Sequence, residues 1–269
     1  MSNELIIGNG TVVTLGSENR ILNNSAVLIK DGLIDAVGSD EEIKAAAPGA
    51  EYLNAGGKVI MPGYVNTHHH LYSTFACGLA PHDPPPYTFV EILERLWWPL
   101  DKALEPEDIY YSALVAVIDC IKHGTTAIID HHESQGNQAG VLDDLARAVT
   151  EAGIRASLCL GISDRYGKGE EGIKENERFI REVQKSPDSP DKLLAGMFGL
   201  HAAFTVEDAT LQQTAELARE LGVGVHCHVA EAQSDEDASL EKYGMRILNR
   251  LRDKGVLGPL SLAIHCVNI

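Results

Sequence analysis

Short apolar runs of strand length alternate with helical patterns along most of the chain. Five such runs are TTAIIDHH (125–132), IRASLCLGI (154–162), LLAGMFGLH (193–201), VGVHCHVAE (223–231) and SLAIHCV (261–267). A sixth, KVIMPGYVN, precedes them and leads into three consecutive histidines. Repeated strand–helix units with apolar strands predict a parallel sheet covered by helices.

The segments between these strands carry apolar residues at helical spacing. In the segment before the fifth strand, the residues on one face are Leu211, Ala215, Ala218 and Leu221. Thr205 is the predicted N-cap of this helix, and Gly222 is its predicted end.

Six parallel strands fit either an open doubly wound sheet or a (β/α)8 barrel of the TIM type. The chain lacks a G-x-G-x-x-G phosphate loop that would support the open sheet. We therefore predict an α/β fold in which residues 61–269 form a barrel truncated after strand six. Residues 1–60 contain short strands separated by Asn-Gly, Asp-Gly and Gly-Gly turns, so they predict a small β-rich domain.

Composition narrows the class of protein. With 44% hydrophobic residues, the 269-residue chain has enough apolar side chains for a sizeable core, and its formal net charge of −17 argues against a nucleic-acid partner. No run of about 18 apolar residues indicates a membrane span. The five cysteines show no C-x-x-C spacing, which favours buried thiols. We expect a soluble cytoplasmic protein with a small-molecule partner, and a homo-oligomer is left open.

Histidines concentrate where the predicted strands end. Eight of the eleven lie at or beside a carboxyl end, where α/β barrels carry their chemistry. Side chains alternate along a strand, so His68 and His70 share a face while His69 takes the other. Two imidazoles at H-x-H spacing can bind one ion about 2 Å away. The clustering predicts a shared metal centre, which a solvated surface would not.

The remaining polar residues at strand ends leave alternatives open. His226 and His228 share a face, and His228 is favoured as a ligand because it lies nearer the end of the strand. His201 is compatible with a ligand, a substrate contact or a structural role. His265 lies inside an apolar run, where a lone histidine is more often a core residue. The segment from Asp130 to His132 is near enough to line a pocket.

Four motifs, VIMPGYVNTHHH, GLHAAFT, HCHVAE and IHC, resemble the amidohydrolase superfamily in order and spacing. The branch is the one that holds cytosine, guanine and S-adenosylhomocysteine deaminases and triazine chlorohydrolases. Within it, STFACGLAP, LWWPLDKAL and IIDHHES are most similar to the aminohydrolases associated with selenium metabolism. The resemblance covers the whole chain.

The resemblance implies a role for each matching residue. His68, His70 and His228 match the metal ligands, and Glu231 matches the carboxylate that shuttles a proton. His265 matches the histidine that hydrogen-bonds the water or the substrate. His201 matches a histidine that contacts the substrate. One departure is that the family's aspartate ligand at the end of strand eight has no counterpart, so the sequence is interpreted as a fragment.

The predicted activity is hydrolysis of a C–N bond other than a peptide bond, as deamination of a cyclic amidine or related heterocycle. One divalent ion, Zn²⁺ or alternatively iron, would activate water, and Glu231 would move its proton. Hydrolytic dehalogenation at the same site is an alternative. A cyclic amidase with a carboxylated lysine on strand four is another, although that strand contains no lysine after Lys192. An inactive fragment that only binds metal is the third.

Overall fold

The computed structural model describes residues 4–79, 84–185 and 192–269. The chain divides into two compact units, with the boundary between Tyr64 and Val65. Within the described ranges, no helix is both long and apolar enough to cross a lipid bilayer.

The described part of the first unit is a small sheet with one helix. Its elements are β1 (Glu4–Val13), β2 (Ile21–Lys30), β3 (Leu33–Ser39), α1 (Asp40–Ala46), β4 (Glu51–Asn54) and β5 (Val59–Ile60). Strand order is β3-β2-β1-β4, and β5 pairs with β1. Strand β2 runs antiparallel to both β1 and β3, whereas β4 and β5 run parallel to β1. Ile6, Ala26, Leu28 and Ile43 form the core of this unit.

The second sheet carries the strands that were predicted from the apolar runs. They are β6 (Tyr64–His69), β7 (Thr125–His132), β8 (Arg155–Ile162), β9 (Leu194–Gly196), β10 (Phe198–Ala202), β11 (Val225–Val229) and β12 (Leu262–His265). Their order is β12-β11-β10-β8-β7-β6, and the short β9 pairs with β8. From β7 to β12 the neighbours on this path are parallel.

Sequence order and spatial order therefore coincide from β6 to β12. A doubly wound sheet reverses its strand order at a switch point, and this sheet does not. The six strands on the main path form a nearly closed parallel barrel, so the predicted barrel class is confirmed. The carboxyl ends of these strands lie at one end of the barrel, as in other barrels of this type.

The described helices of the second unit are α2 (Phe89–Ile92), α3 (Trp98–Ala103), α4 (Pro106–Lys122), α5 (Val141–Ala152), α6 (Gly169–Val183), α7 (Asp208–Leu221), α8 (Gln233–Tyr243) and α9 (Ile247–Asp253). Helices α4 to α7 pack on the outside of the sheet. A wide π-helical turn, Leu93–Trp97, joins α2 to α3. Two apolar clusters fill the space between helices and strands, one around Leu145 and Leu158 and the other around Leu211 and Phe198.

The ends of α7 test the predicted caps. Gly222 ends the helix with φ of 67°, a left-handed conformation that glycine adopts without steric cost, as predicted. The predicted N-cap Thr205 is wrong, because Glu207 occupies that position. The Thr205 hydroxyl instead donates to the Ala202 carbonyl, 3.0 Å away, so it is engaged at the end of β10.

Candidate metal centre and active site

Strand β11 shows how alternation places histidines inside the barrel. Val225, Cys227 and Val229 belong to the apolar cluster under the helices. His226 and His228 therefore point to the opposite, inner face, where both are buried. Their shared face explains why spacing alone does not choose between them.

Three imidazoles from two strands meet at the carboxyl end of the barrel. His68 and His70 come from β6 and the residue after it, and His228 comes from β11. One ligand atom from each lies within 4.8 Å of the other two. The ring centroids of His68 lie 4.7 Å from His70 and 5.0 Å from His228. His69, on the other face of the strand, does not belong to this group.

Backbone carbonyls fix the orientation of two of these rings. His70 Nδ1 donates to the His131 carbonyl at 2.6 Å, and His228 Nδ1 donates to the His201 carbonyl. A carbonyl can only accept, so both protons lie on Nδ1 and both Nε2 atoms carry free lone pairs. These two Nε2 atoms are 3.1 Å apart.

His226 is not one of the three grouped histidines, and it contacts His68 instead. Its Nε2 is 2.8 Å from His68 Nδ1, and its Nδ1 is 3.8 Å from the Cys159 thiol. The side chain is fully buried. His226 is thus the partner of His68 Nδ1, whereas backbone carbonyls are the partners of Nδ1 in His70 and His228.

Burial keeps the imidazoles of the cluster neutral. It lowers the pKa of His68 to about 4, with the neighbouring His70, His265 and His69 as further causes. It also lowers the pKa of His70 to about 4 and the pKa of His228 well below the usual value. Neutral imidazole is the form that binds a metal ion, so no proton must be displaced near neutral pH.

Glu231 and His265 face each other next to this cluster. His265 Nε2 is 3.4 Å from Glu231 Oε2, and the His265 ring stacks on His228 at 5.5 Å. Burial first, and the negative charge of Asp235 second, raise the pKa of Glu231 to about 7. A carboxyl with this pKa can both accept and release a proton near neutral pH.

The backbone turns sharply after β12. His265 and Cys266 have φ of 71° and 51°, an unusual conformation for residues other than glycine. The turn is held because Cys266 N–H donates to the Val229 carbonyl at 2.8 Å and the Asn268 amide donates to the Glu231 carbonyl at 3.2 Å. These bonds tie the end of β12 to the end of β11 and to Glu231 in the loop that follows β11.

One cavity of about 360 Å³ contains all six residues that were predicted from the resemblance. Its lining includes His68, His70, His201, His228, Glu231 and His265. Aromatic side chains also line it, among them Tyr72, Trp97, Trp98 and Phe204, and so do three further acids, Asp101, Glu133 and Asp235. The volume falls in the usual range for small-molecule sites.

Comparison of the sequence with known protein families assigns the chain to one of them. The sequence profile described as "Amidohydrolase family" matches residues 59–268. The chain belongs to the amidohydrolase family.

Relatives of this amidohydrolase chain include named deaminases. It is 35% identical over 266 residues to the 5'-deoxyadenosine deaminase of Methanosarcina acetivorans, covering 98% of this chain and 57% of that protein. It is 30% identical over 269 residues to the 5-methylthioadenosine/S-adenosylhomocysteine deaminase of Acetivibrio thermocellus, covering 98% of this chain and 58% of the relative. The chain thus spans somewhat more than half the length of these curated relatives.

Solved structures agree on the fold. An adenosine deaminase from Xanthomonas campestris, crystallised with bound zinc, aligns with a TM-score of 0.78 at 25% identity. The alignment covers 96% of this chain and 56% of that one.

The polar residues at the end of β7 differ from the expectation. Asp130, His131 and His132, expected near a pocket, are fully buried and are absent from the described lining of the cavity, whereas the next residue, Glu133, lines it. Asp130 instead accepts the Leu71 N–H at 2.7 Å and so fixes the turn after His70. An acidic residue directly after the β7 strand end was the available signal for Glu133. Asp101 also lines the cavity, but it comes from a helix and carries no pattern in the sequence.

Proposed function

We propose that this chain forms the metal centre of a deaminase that hydrolyses a C–N bond of a heterocyclic amidine and releases ammonia. The observation that carries the proposal is the pair of Nε2 lone pairs of His70 and His228, which face each other at 3.1 Å. The named relatives act on adenosine derivatives, so 6-aminopurine compounds are the substrate class that we propose.

The histidine group fits a divalent ion. Two neutral lone pairs at this distance repel each other unless a cation lies between them. Two nitrogens bound to one zinc ion at about 2.05 Å and a tetrahedral angle are about 3.3 Å apart, close to the observed 3.1 Å. We propose zinc bound by His68, His70 and His228, and iron would take the same ligands.

His226 has a defined task in this scheme. If His68 binds the ion through Nε2, its proton lies on Nδ1 and is donated to His226 Nε2, 2.8 Å away. His226 must then carry its own proton on Nδ1, which faces the Cys159 thiol. Such outer partners fix the tautomer of a ligand and raise its basicity.

Glu231 is the proposed proton carrier. When bound, the ion supplies Lewis-acid activation of water and substrate. Glu231 takes the proton of the attacking water on a carboxylate oxygen and returns it to the departing amine nitrogen. Neutral His265 has one N–H donor, and with Nε2 3.4 Å from Glu231 Oε2 it can donate either to this carboxylate or to the oxygen that is added.

His201 is proposed to accept a hydrogen bond from the substrate. Its Nδ1 is 2.8 Å from Thr205 Oγ1, and the hydroxyl proton of Thr205 is already donated to the Ala202 carbonyl. Nδ1 therefore donates to Thr205, and the lone pair lies on Nε2. A ring N–H or amino group of the substrate is the matching donor.

Ammonia release from a panel of zinc-loaded reactions tests the function. We expect the wild-type protein to release ammonia from at least one 6-aminopurine derivative, such as 5'-deoxyadenosine, and the His228→Ala variant to release none. Halide release from a chlorinated triazine without any ammonia release from aminopurines would contradict the proposal. The proposed compartment is the cytoplasm, which agrees with the buried thiols Cys159 and Cys227.

A further inference from the structure

Glu231 lies outside the regular sheet, in a turn that follows the end of β11. The last pair of the β11–β12 ladder is Val229 with His265, and β11 ends at Val229. The Glu231 side chain is 35% exposed, and its contact with His265 Nε2, at 3.4 Å, is longer than an ordinary hydrogen bond. The place of this carboxyl group in the cavity therefore depends on how the backbone of the turn is held.

The turn itself contains an unfavourable backbone conformation. Ala230 has φ of 48°, in the left-handed region that residues with a Cβ rarely adopt. Such a conformation costs free energy and persists only where the surrounding structure over-determines it. Ala230 is also fully buried, so the contacts of this residue and of Glu231 keep the turn in place.

Asn268 holds the carbonyl groups of the turn. The Ala230 carbonyl accepts the backbone N–H of Val267 at 3.1 Å and that of Asn268 at 3.0 Å. The Asn268 side-chain amide donates to the Glu231 carbonyl at 3.2 Å and lies 3.4 Å from the Ala230 carbonyl oxygen. The segment after β12 thus fixes two successive carbonyl groups of the turn.

Asp235 holds the amide groups of the same turn. From the first turn of α8, its Oδ2 accepts the Glu231 N–H at 2.9 Å and lies 3.4 Å from the Ala232 nitrogen. A backbone N–H bonds more strongly to a carboxylate than to a neutral acceptor. Asp235 lies in the wall of the cavity but is only 2% exposed, so it acts on the Glu231 backbone rather than on a substrate.

We propose that Asp235 and Asn268 are positioning residues, which hold Glu231 where its carboxylate can move the proton between the attacking water and the departing amine. The inference rests on the proposed function, because it takes Glu231 to be the proton carrier. It adds that the strained turn is held from α8 on one side and from the segment after β12 on the other. A displacement of about 1 Å can lower a rate about 100-fold, so loss of either contact should reduce turnover.

Two substitutions of Asp235 separate its hydrogen bond from its charge. Asp235→Ala removes the acceptor of the Glu231 N–H, whereas Asp235→Asn keeps an oxygen there. With 5'-deoxyadenosine at pH 8, above the raised pKa of about 7 of Glu231, the charge of residue 235 matters least. There kcat should fall about 10–100-fold in the Ala variant and about threefold or less in the Asn variant, with KM and zinc content within about twofold of wild type. Asp237→Ala, which removes an exposed acid from the same helix, is the control and should keep the wild-type kcat.

A double-mutant cycle distinguishes an effect on Glu231 from a general effect on the fold. Asn268→Ala removes the side-chain donor and should lower kcat about 3–10-fold, which gives a second, independent variant. In the Glu231→Gln background the proton carrier is already absent, so Asp235→Ala and Asn268→Ala should each lower the residual kcat by less than about twofold. The same losses in both backgrounds would show that the two residues act on the fold alone and would overturn the proposal.

A measurement without turnover separates this inference from the proposed function. Hydrogen exchange of the Glu231 backbone N–H, followed by NMR, should be slow in the wild type and in Asp235→Asn and about tenfold or more faster in Asp235→Ala. An unchanged exchange rate in the Ala variant, or equal losses of kcat in the Ala and Asn variants, would overturn the positioning role alone. If the wild type released no ammonia from any aminopurine, or Glu231→Gln kept normal turnover, the proposed function would fail and the positioning role with it.

Discussion

The histidine cluster depends on hydrogen bonds made by the nitrogens that face away from it. His70 and His228 use carbonyl groups, which cannot change their role, whereas His68 uses another imidazole. An imidazole can accept or donate according to its tautomer, so His226 is the adjustable member of the group.

Substitution of His226 should therefore change metal affinity according to whether an acceptor remains. His226→Leu removes the acceptor, and we expect the zinc affinity to fall about 10–100-fold. His226→Gln places an amide oxygen near the former Nε2 and should stay close to wild type. Competition with a chromophoric chelator measures both, with His69→Leu as the control. Equal losses in the Gln and Leu variants would show that ring packing, not the acceptor, matters.

Glu231 should affect turnover without affecting the metal. Glu231→Gln keeps the size of the side chain but cannot accept the proton, so kcat should fall about 10²–10⁴-fold while the zinc content stays at the wild-type level. Elemental analysis and an ammonia assay measure the two quantities on the same sample. A variant with normal turnover would exclude Glu231 as the proton carrier.

The pH dependence of the wild type follows from the same carboxyl group. Glu231 must be ionised to accept a proton, and its pKa is raised to about 7. A divalent cation bound at the neighbouring histidines lowers this pKa, so kcat/KM of the zinc-loaded enzyme should fall about tenfold per pH unit once the pH is below the lowered value. Initial rates between pH 5 and pH 8 measure this profile. A flat profile from pH 5 to pH 7 would contradict the assigned role.

At the scale of elements, Asn176 joins a helix to a strand of the barrel. From α6 its side chain accepts the Leu160 N–H at 2.9 Å and donates to the Leu160 carbonyl at 2.8 Å. The same amide donates to the Gly172 carbonyl at 2.8 Å, and the side chain is fully buried. Asn176 thus pairs with β8 as a neighbouring strand would.

Removal of this amide should destabilise the barrel. Asn176→Ala leaves the Leu160 N–H and carbonyl without these partners, and we expect a loss of about 2–4 kcal/mol in the free energy of unfolding. Urea denaturation measures the loss. Lys174→Ala, on the exposed side of the same helix, is the control and should change stability by less than about 0.5 kcal/mol. Equal effects of both substitutions would contradict the assigned role of Asn176.

Strand positions were predictable because a strand that is buried on both faces appears in the sequence as a continuous apolar run. The strands β8, β10 and β11 are wholly or largely buried in the structure, and β7 is buried mainly towards its carboxyl end. The start of α7 was not predictable in the same way, because the Thr205 hydroxyl is used by the Ala202 carbonyl and the His201 ring. Local sequence cannot distinguish a cap from such a contact.

At the scale of the whole molecule, the histidine half of the cavity was predictable and the acidic half was not. Strand alternation places histidines on the inner face of a barrel, and the resemblance supplies their roles. Asp101 and Arg165 come from a helix and from the segment after β8, and they meet only because these elements pack over the same end of the barrel. The hydrophobic period and the spacing of motifs along the sequence contain no information on contacts between distant segments.

The zinc content of matched variants tests the metal centre most directly. Purified wild type and His69→Ala should each bind one equivalent of zinc per chain, and zinc should raise their unfolding temperatures, because a ligand of the folded state stabilises it. His68→Ala and His228→Ala should each lose most of the bound zinc and most of the temperature shift. Retention of one equivalent in His228→Ala, or an equal loss in His69→Ala, would contradict the proposed centre.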